Sequence, residues 1–142
     1  MIEKATVIAY GPESLYCYVQ RNGSILNSKF NKKNLQLIDI VNDLYDGLNN
    51  RYPNIRNAMF YRKICAYMDV ANMIINSKDS NYNAELDKII NNIRINLKYI
   101  IRNRDFNIMQ KWLLVSAIGG KLLYRITYRI QMIFKNTIKG SI

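Results

Sequence analysis

The sequence of 142 residues contains no histidine and only two cysteines, Cys17 and Cys65. Without an imidazole, the chain has no Ser-His-Asp triad, no Cys-His pair and no His-ligated zinc. Two thiols are too few for a four-cysteine metal site or a dense disulfide framework. Free cysteine is small and usually buried, so we expect both thiols to lie in the core and not in a catalytic site.

Long apolar runs and a secretory leader are also lacking. The longest apolar stretch covers residues 112–118, far fewer than the ~20 residues that cross a bilayer. The first residues show no basic region followed by an apolar one. We therefore expect a cytoplasmic location, in which both thiols stay reduced.

Acidic residues are scarce: 10 Asp+Glu stand against 21 Lys+Arg, which gives a net charge of +11. The excess is uneven, because residues 72–142 carry twelve basic and four acidic groups and no acid follows Asp105. Such a basic end favours an anionic partner, which is nucleic acid, anionic lipid or an acidic protein face. Nucleic acid is the least favoured of the three, because the sequence holds no recognised nucleic-acid-binding motif.

The hydrophobic residues, 49% of the chain, follow two different patterns. Residues 5–10 and 15–20 are rich in β-formers, and Asn22-Gly23 is a strong turn signal. From residue 31 onward the apolar positions recur with a helical period, with Pro53 ending the first helix and Asn83 capping the third. The pattern predicts four to five helices, at about residues 31–52, 55–76, 83–102, 106–118 and 121–136. The predicted apolar face of the third helix consists of Leu86, Ile89, Ile90, Ile93, Leu97, Ile100 and Ile101. The predicted fold is mainly α, with a short β element in residues 1–30 and a helical domain in residues 31–142.

Residues 11–30 contain an ordered series of residue types. Pro12 is followed by Leu-Tyr-Cys-Tyr at positions 15–18, then by Arg21 and Ser24-Ile25. This series resembles the end of the catalytic domain in bacterial family 2 glycosyltransferases, and residues 5–10 resemble the strand that leads into it. The resemblance implies the C-terminal portion of a GT-A-like α/β enzyme without its nucleotide-binding sheet. Such enzymes transfer a sugar from a nucleotide-sugar to a polysaccharide or glycoconjugate acceptor.

The same resemblance implies what this chain lacks. An intact enzyme of the family uses a nucleotide-sugar and a divalent metal, and its Asp-x-Asp motif and catalytic base lie upstream of the matching element. No Asp-x-Asp occurs in this sequence, so the chain alone is expected to hold no catalytic residue and no metal ligand, and to be inactive. A missing N-terminal catalytic domain is the implied partner.

A loop of the family near the donor and acceptor cleft corresponds to residues of the β element. The implied substrate-binding residues are Tyr18, Arg21, Asn22, Gly23 and Ser24. An arginine can neutralise a diphosphate through paired hydrogen bonds, and backbone N–H groups near a glycine can support an anion. The alternative is a solvated turn at residues 21–24, with Tyr18 packed in a core.

The C-terminal helix carries a second candidate surface. Lys121, Arg125 and Arg129 recur every four residues, and Lys111 and Trp112 lie upstream. Beside this ridge runs an apolar band of Leu122, Ile126, Ile130 and Ile133, which Leu123, Tyr124, Tyr128 and Phe134 widen. A basic amphipathic helix with aromatic residues is typical of a membrane-surface segment or a partner helix. The alternative is a terminal helix that packs on the others and leaves its basic face in water.

These patterns leave two functions open. In the first, the chain is the C-terminal part of a glycosyltransferase that lies peripherally on the inner face of the cell membrane. In the second, it is a non-enzymatic basic helical module that binds a membrane, a protein or nucleic acid. In the first case we expect self-association into a homo-oligomer, because a chain without its parent sheet exposes apolar surface.

Overall fold

The computed structural model describes residues 30–139, and 90% of these residues are helical. No β-strand occurs within that range. The predicted helical domain is therefore confirmed as helical. The predicted β element of residues 1–30 lies outside the described residues, apart from Phe30.

Six α-helices make up the described part of the chain. They are α1 (Gln36–Arg51), α2 (Arg56–Ser77), α3 (Asn83–Ile95), α4 (Leu97–Arg102), α5 (Ile108–Val115) and α6 (Gly120–Lys139). Only Asn96 separates α3 from α4, so these two segments correspond to the single helix predicted for residues 83–102. Short 3-10 turns precede α1, α2 and α3, and a fourth, Ser116–Gly119, leads into α6. Counting α3 and α4 together, the helical units match the predicted number.

The ends of these helices follow local side-chain chemistry. Helix α1 ends at Arg51, just before Pro53, as predicted, and Pro53 begins the 3-10 turn that follows. Asn107 caps α5, because its side-chain oxygen accepts a hydrogen bond from the backbone N–H of Gln110 at 2.8 Å. Asn83, however, is the first residue of α3 and its Oδ1 accepts a hydrogen bond from Nη2 of Arg125 at 2.6 Å. The prediction that Asn83 caps this helix is wrong, because Asn83 already has helical backbone angles, φ −64° and ψ −34°, and its side chain binds the distant arginine.

The apolar residues of the helices form one buried core. Helix α2 contributes eight buried residues, among them Ala66, Val70 and Ala71, which are completely buried. Small side chains at such positions let neighbouring helices approach closely. The predicted apolar face of the third helix is buried at Leu86, Ile89, Ile90, Ile93, Leu97 and Ile100. Ile101, which was predicted on the same face, is exposed.

The first described residues are anchored on this core. Phe30 is buried, and its ring meets the ring of Tyr82 edge-on with the two centroids 4.7 Å apart. Helix α1 has a single buried residue, Val41. Its neighbour Asn42 exchanges hydrogen bonds with the hydroxyl of Tyr67 on α2, at 3.1 and 3.2 Å. A polar contact therefore joins α1 to α2 where few apolar residues are buried.

Candidate functional site

The two sets of site residues predicted from the sequence have different outcomes. The loop set of Tyr18, Arg21, Asn22, Gly23 and Ser24 lies outside the described residues. The surface set of Lys111, Trp112, Lys121, Arg125 and Arg129 lies on α5 and α6. The candidate site is therefore the surface of these two helices.

Helix α6 has an inward face that is rich in hydroxyl groups. Tyr124 is completely buried, and Thr127 and Tyr128 are buried beside it. The amide of Asn76 on α2 donates a hydrogen bond to the Tyr128 hydroxyl at 2.8 Å, and the Tyr124 hydroxyl donates to Oδ1 of Asn72 at 3.4 Å. The rings bury apolar surface while their polar tips find partners, which is how tyrosine is accommodated in a core.

The outward face of α6 is apolar, and all but one of its exposed apolar side chains are aliphatic. Its exposed side chains are Leu122, Leu123, Ile126, Ile130, Ile133 and Phe134; we call this set the aliphatic face. Leu122 retains 69% and Ile133 retains 65% of its accessible surface. A surface helix ordinarily buries its apolar stripe and exposes its polar one, whereas α6 buries tyrosine rings and leaves its aliphatic side chains in solvent. No helix within residues 30–139 has the length and apolar character to cross a membrane.

The cationic ridge beside the aliphatic face is partly occupied by contacts with α3. Lys121 forms an ion pair with Asp87, with Nζ and Oδ2 2.5 Å apart. Arg125, one turn further along α6, donates to Asn83, one turn earlier along α3. The two contacts run in opposite order along the two helices, so they tie α6 to α3 in an antiparallel arrangement. Arg129 is exposed and has no ion pair among the described residues.

Lys111 and Trp112 have separate surroundings on α5. The Lys111 ammonium donates a hydrogen bond to the carbonyl of Ile101 at 3.0 Å, close to the end of α4. A lysine near the last carbonyls of a helix satisfies one acceptor and complements the helix dipole. Trp112 is 46% exposed. Lys111 therefore stabilises the end of α4, while Trp112 adds an amphipathic ring to the surface.

Burial in the core also raises the pKa of two side chains, Tyr124 on α6 and Cys65 on α2. Burial raises the pKa of the Tyr124 phenol well above its usual range, and the charges of Asp69 and Tyr128 raise it further. Burial likewise raises the pKa of the Cys65 thiol, against a smaller opposing effect of the hydrogen bond with Tyr61. Cys65 is a buried core residue, as predicted, and its thiolate form is disfavoured. No group of three potential metal-ligating side chains occurs among the described residues.

We expect the stability of the chain to fall more steeply in alkali for the wild type than for Tyr124→Phe. A buried phenol stays protonated in the folded chain, whereas in the unfolded chain it ionises near its ordinary pKa of 10.0. Because the folded-state pKa is raised, the stabilisation is fully present below pH 10.0 and is lost as the pH rises from there toward the folded-state value. Urea unfolding over a series of pH values from neutral to alkaline measures the slope.

The exposed Tyr99 provides the matched control for this experiment. Tyr99→Phe removes the hydroxyl of an exposed side chain, so this variant should keep the wild-type dependence of stability on pH. Equal alkaline slopes for the wild type and Tyr124→Phe would contradict the burial of the Tyr124 hydroxyl.

The residues of α6 were predicted from the sequence, but its buried face was not. The predicted apolar band joined Tyr124 and Tyr128 to the aliphatic residues, whereas the structure buries the two tyrosines and exposes the aliphatic side chains. A signal for the inward face was present: Tyr124, Thr127 and Tyr128 are spaced like one helical stripe, and Asn72 and Asn76 are one turn apart on α2. Such matched polar stripes on two helices indicate that they face each other.

The chain was compared with models of protein families, with curated proteins and with solved structures, and none of them matches it. The function proposed below is therefore supported by the surface of α6 and by the residue pattern of positions 11–30.

Proposed function

We propose that the helical part of this chain binds an anionic membrane surface through the aliphatic face of α6. The observation that carries this proposal is the exposure of six large apolar side chains on the side of α6 that points away from the core. Monomeric proteins rarely expose large contiguous apolar patches, and those that do commonly use them to bind proteins or membranes.

The chemistry around the aliphatic face supports a lipid partner. Arg125 and Arg129 directly precede Ile126 and Ile130 in the helix, so cations border the apolar side chains. A helix of this kind lies in the plane of the interface, with its apolar side chains among the acyl chains and its cations at the phosphates. Each cation near an anionic surface contributes about 1 kcal/mol.

Charge also favours lipid over a second copy of the chain. Residues 72–142 carry a net charge of +8, and no acid follows Asp105. Two copies that met through α6 would bring these like charges together, which opposes association. An anionic bilayer neutralises the same charges, so it complements both the apolar and the basic part of the surface.

The resemblance of residues 11–30 to family 2 glycosyltransferases supports a role for this membrane contact. We propose that the chain is the C-terminal part of a family 2-like glycosyltransferase, peripheral on the cytoplasmic face of the membrane. A missing N-terminal catalytic domain would hold the nucleotide-sugar and the divalent metal. The loop of Tyr18, Arg21, Asn22, Gly23 and Ser24 would lie on the acceptor side, and α6 would hold the enzyme near a lipid-linked acceptor. The chain alone would be inactive.

Vesicle binding tests the membrane contact. The full chain should co-sediment with vesicles that contain about 30% phosphatidylglycerol, and it should bind pure phosphatidylcholine vesicles at least about tenfold more weakly. The combined variant Leu122→Ser, Ile126→Ser, Ile130→Ser and Ile133→Ser should lose binding to the anionic vesicles at least about tenfold, because these four side chains supply the inserted surface.

The control uses exposed apolar residues of another helix. Ile40→Ser with Leu44→Ser on α1 removes two exposed side chains and should leave vesicle binding unchanged. Circular dichroism should show both variants folded, because the substituted positions of α6 are exposed as well. Absence of wild-type binding to anionic vesicles at low salt would overturn the proposal. A wild-type dimer that becomes monomeric in the α6 variant, without vesicle binding, would assign the face to a second copy.

The gene itself tests the glycosyltransferase assignment separately. We expect the DNA ahead of the codon for Met1 to encode, in frame, a strand-rich segment with an Asp-x-Asp motif. A stop codon preceded by an unrelated gene would favour the second candidate, a non-enzymatic helical module. The membrane contact would be unaffected by that result, because it depends on α6 alone.

A further inference from the structure

A groove beside the start of α2, at the end of that helix away from Asn72 and Asn76, is lined by charged and aromatic residues that suit a ligand. It encloses about 840 Å³ and lies between α1, the first turns of α2, and the segment from Asn96 to Asp105. Binding sites for small molecules commonly enclose about 300–1,000 Å³, so the groove is large enough for a ligand of ordinary cofactor size. It shares no lining residue with the aliphatic face of α6.

Three arginines line this groove: Arg56, Arg102 and Arg104. Their side chains are exposed, and none of them forms an ion pair with a described residue. Asp105 is the single acid among the lining residues, so the positive charge is in excess. Guanidinium groups bind phosphate through paired hydrogen bonds, and several of them together favour a polyanion such as a diphosphate.

Aromatic rings line the same groove. Phe60 lies between Tyr45 and Tyr99, with ring centroids 6.4 and 6.1 Å from its own. Tyr99 keeps 66% of its surface exposed, so most of its ring remains available to a ligand. A planar base stacks on such rings, and each stacked base contributes about 1–3 kcal/mol.

The walls of the groove are held in place by hydrogen bonds. The amide of Asn103, just after α4, donates to the carbonyl of Asn57 in the first turn of α2 at 3.3 Å. The Asn103 side-chain oxygen in turn accepts from the backbone N–H of Asp105 at 2.8 Å. These bonds fix the segment that carries Arg102 and Arg104 relative to the helix that carries Arg56 and Phe60.

We infer that this groove binds a nucleoside diphosphate, with the arginines on the phosphates and Tyr99 against the base. Phosphate alone would leave the aromatic rings unused, and an uncharged nucleoside would leave the arginines unused. The inference is independent of the proposed membrane contact, because α6 contributes no residue to the groove.

Isothermal titration calorimetry on the full chain at low salt tests the inference with defined probes. ADP and UDP should bind, while pyrophosphate and adenosine should each bind at least about tenfold more weakly, since each offers half of the recognised chemistry. Arg102→Gln with Arg104→Gln, and separately Tyr99→Ala, should each weaken ADP binding at least about tenfold. All three positions are exposed, so the variants should remain folded by circular dichroism.

Two controls separate a specific site from general electrostatics. Arg94→Gln removes an exposed arginine of α3, and Ile101→Ala removes an exposed side chain of α4 outside the groove; both should bind ADP like the wild type. No heat with ADP or UDP would overturn the inference. Pyrophosphate binding as tight as ADP binding, or an equal loss of ADP binding in Arg94→Gln, would also overturn it. A hexanucleotide that binds more than about tenfold tighter than ADP would assign the groove to single-stranded nucleic acid instead.

Discussion

Replacement of Tyr124 by alanine should lower the free energy of unfolding by about 3–5 kcal/mol, the range for removing a buried aromatic side chain. The ring is completely buried at the centre of the inward face of α6. Its loss would leave a cavity and remove the partner of the Asn72 oxygen. Because the Tyr124 side chain joins α6 to α2, the variant should also weaken the packing of α6 on α2. Urea unfolding followed by circular dichroism at neutral pH measures the change.

Leu122→Ala is the matched control, two residues earlier in the same helix. Leucine is the more apolar of the two side chains, and by the hydrophobic pattern alone it would be the buried one. Because Leu122 is 69% exposed, its replacement should change the free energy of unfolding by no more than about 0.5 kcal/mol. A cost for Leu122→Ala as large as that for Tyr124→Ala would mean that another surface covers the aliphatic face in solution.

The second large effect is expected at the start of α6. Gly120→Ala should destabilise the fold by about 1–3 kcal/mol, because Gly120 adopts φ 71° and ψ −165°, a conformation open almost exclusively to glycine. No heavy atom lies within 4 Å of an added methyl group, so the cost comes from the backbone and not from a clash. This residue sets the direction in which α6 leaves the Ser116–Gly119 turn, and thermal unfolding measures the loss.

Gly47→Ala provides a control of opposite sign. Gly47 lies inside α1, and there too no heavy atom stands within 4 Å of an added methyl group. Alanine favours the helix over glycine by about 0.5–1 kcal/mol, so this variant should be more stable than the wild type. If Gly120→Ala left the stability unchanged or raised it, that result would contradict the positive φ of Gly120 at the start of α6.

Much of the helical fold could be predicted from the sequence, because its signals are local. The helical period of the apolar residues indicated the helices, and Pro53 marked the end of the first one. The interruption at Asn96 was not predicted, because the apolar period continues through it from Ile93 to Leu97. The prediction that residues 1–30 form a β element remains a prediction, since they lie outside the described residues except for Phe30.

The candidate sites depended on contacts that no local pattern contains. Asn83 resembled a helix cap, but Arg125, 42 residues away, binds its side chain. The groove inferred to bind a nucleoside diphosphate brings together Tyr45, Arg56 and Tyr99 from three helices, and it was not predicted from the sequence. A cue existed in the close spacing of Arg102 and Arg104 at a helix end. Their approach to the start of α2 depends on tertiary packing, which one sequence does not reveal.

The exposed aliphatic face makes α6 a locally frustrated element of the fold. Its hydrophobic pattern favours a rotation that would bury Leu122 and Ile126, while the directional bonds from Tyr124 and Tyr128 to α2 favour the observed one. Natural sequences minimise such conflicts between local pattern and native contacts, and those that persist are concentrated at functional sites. The two buried tyrosine rings and their hydrogen bonds to α2 thus fix the orientation of α6, and its aliphatic side chains remain in solvent.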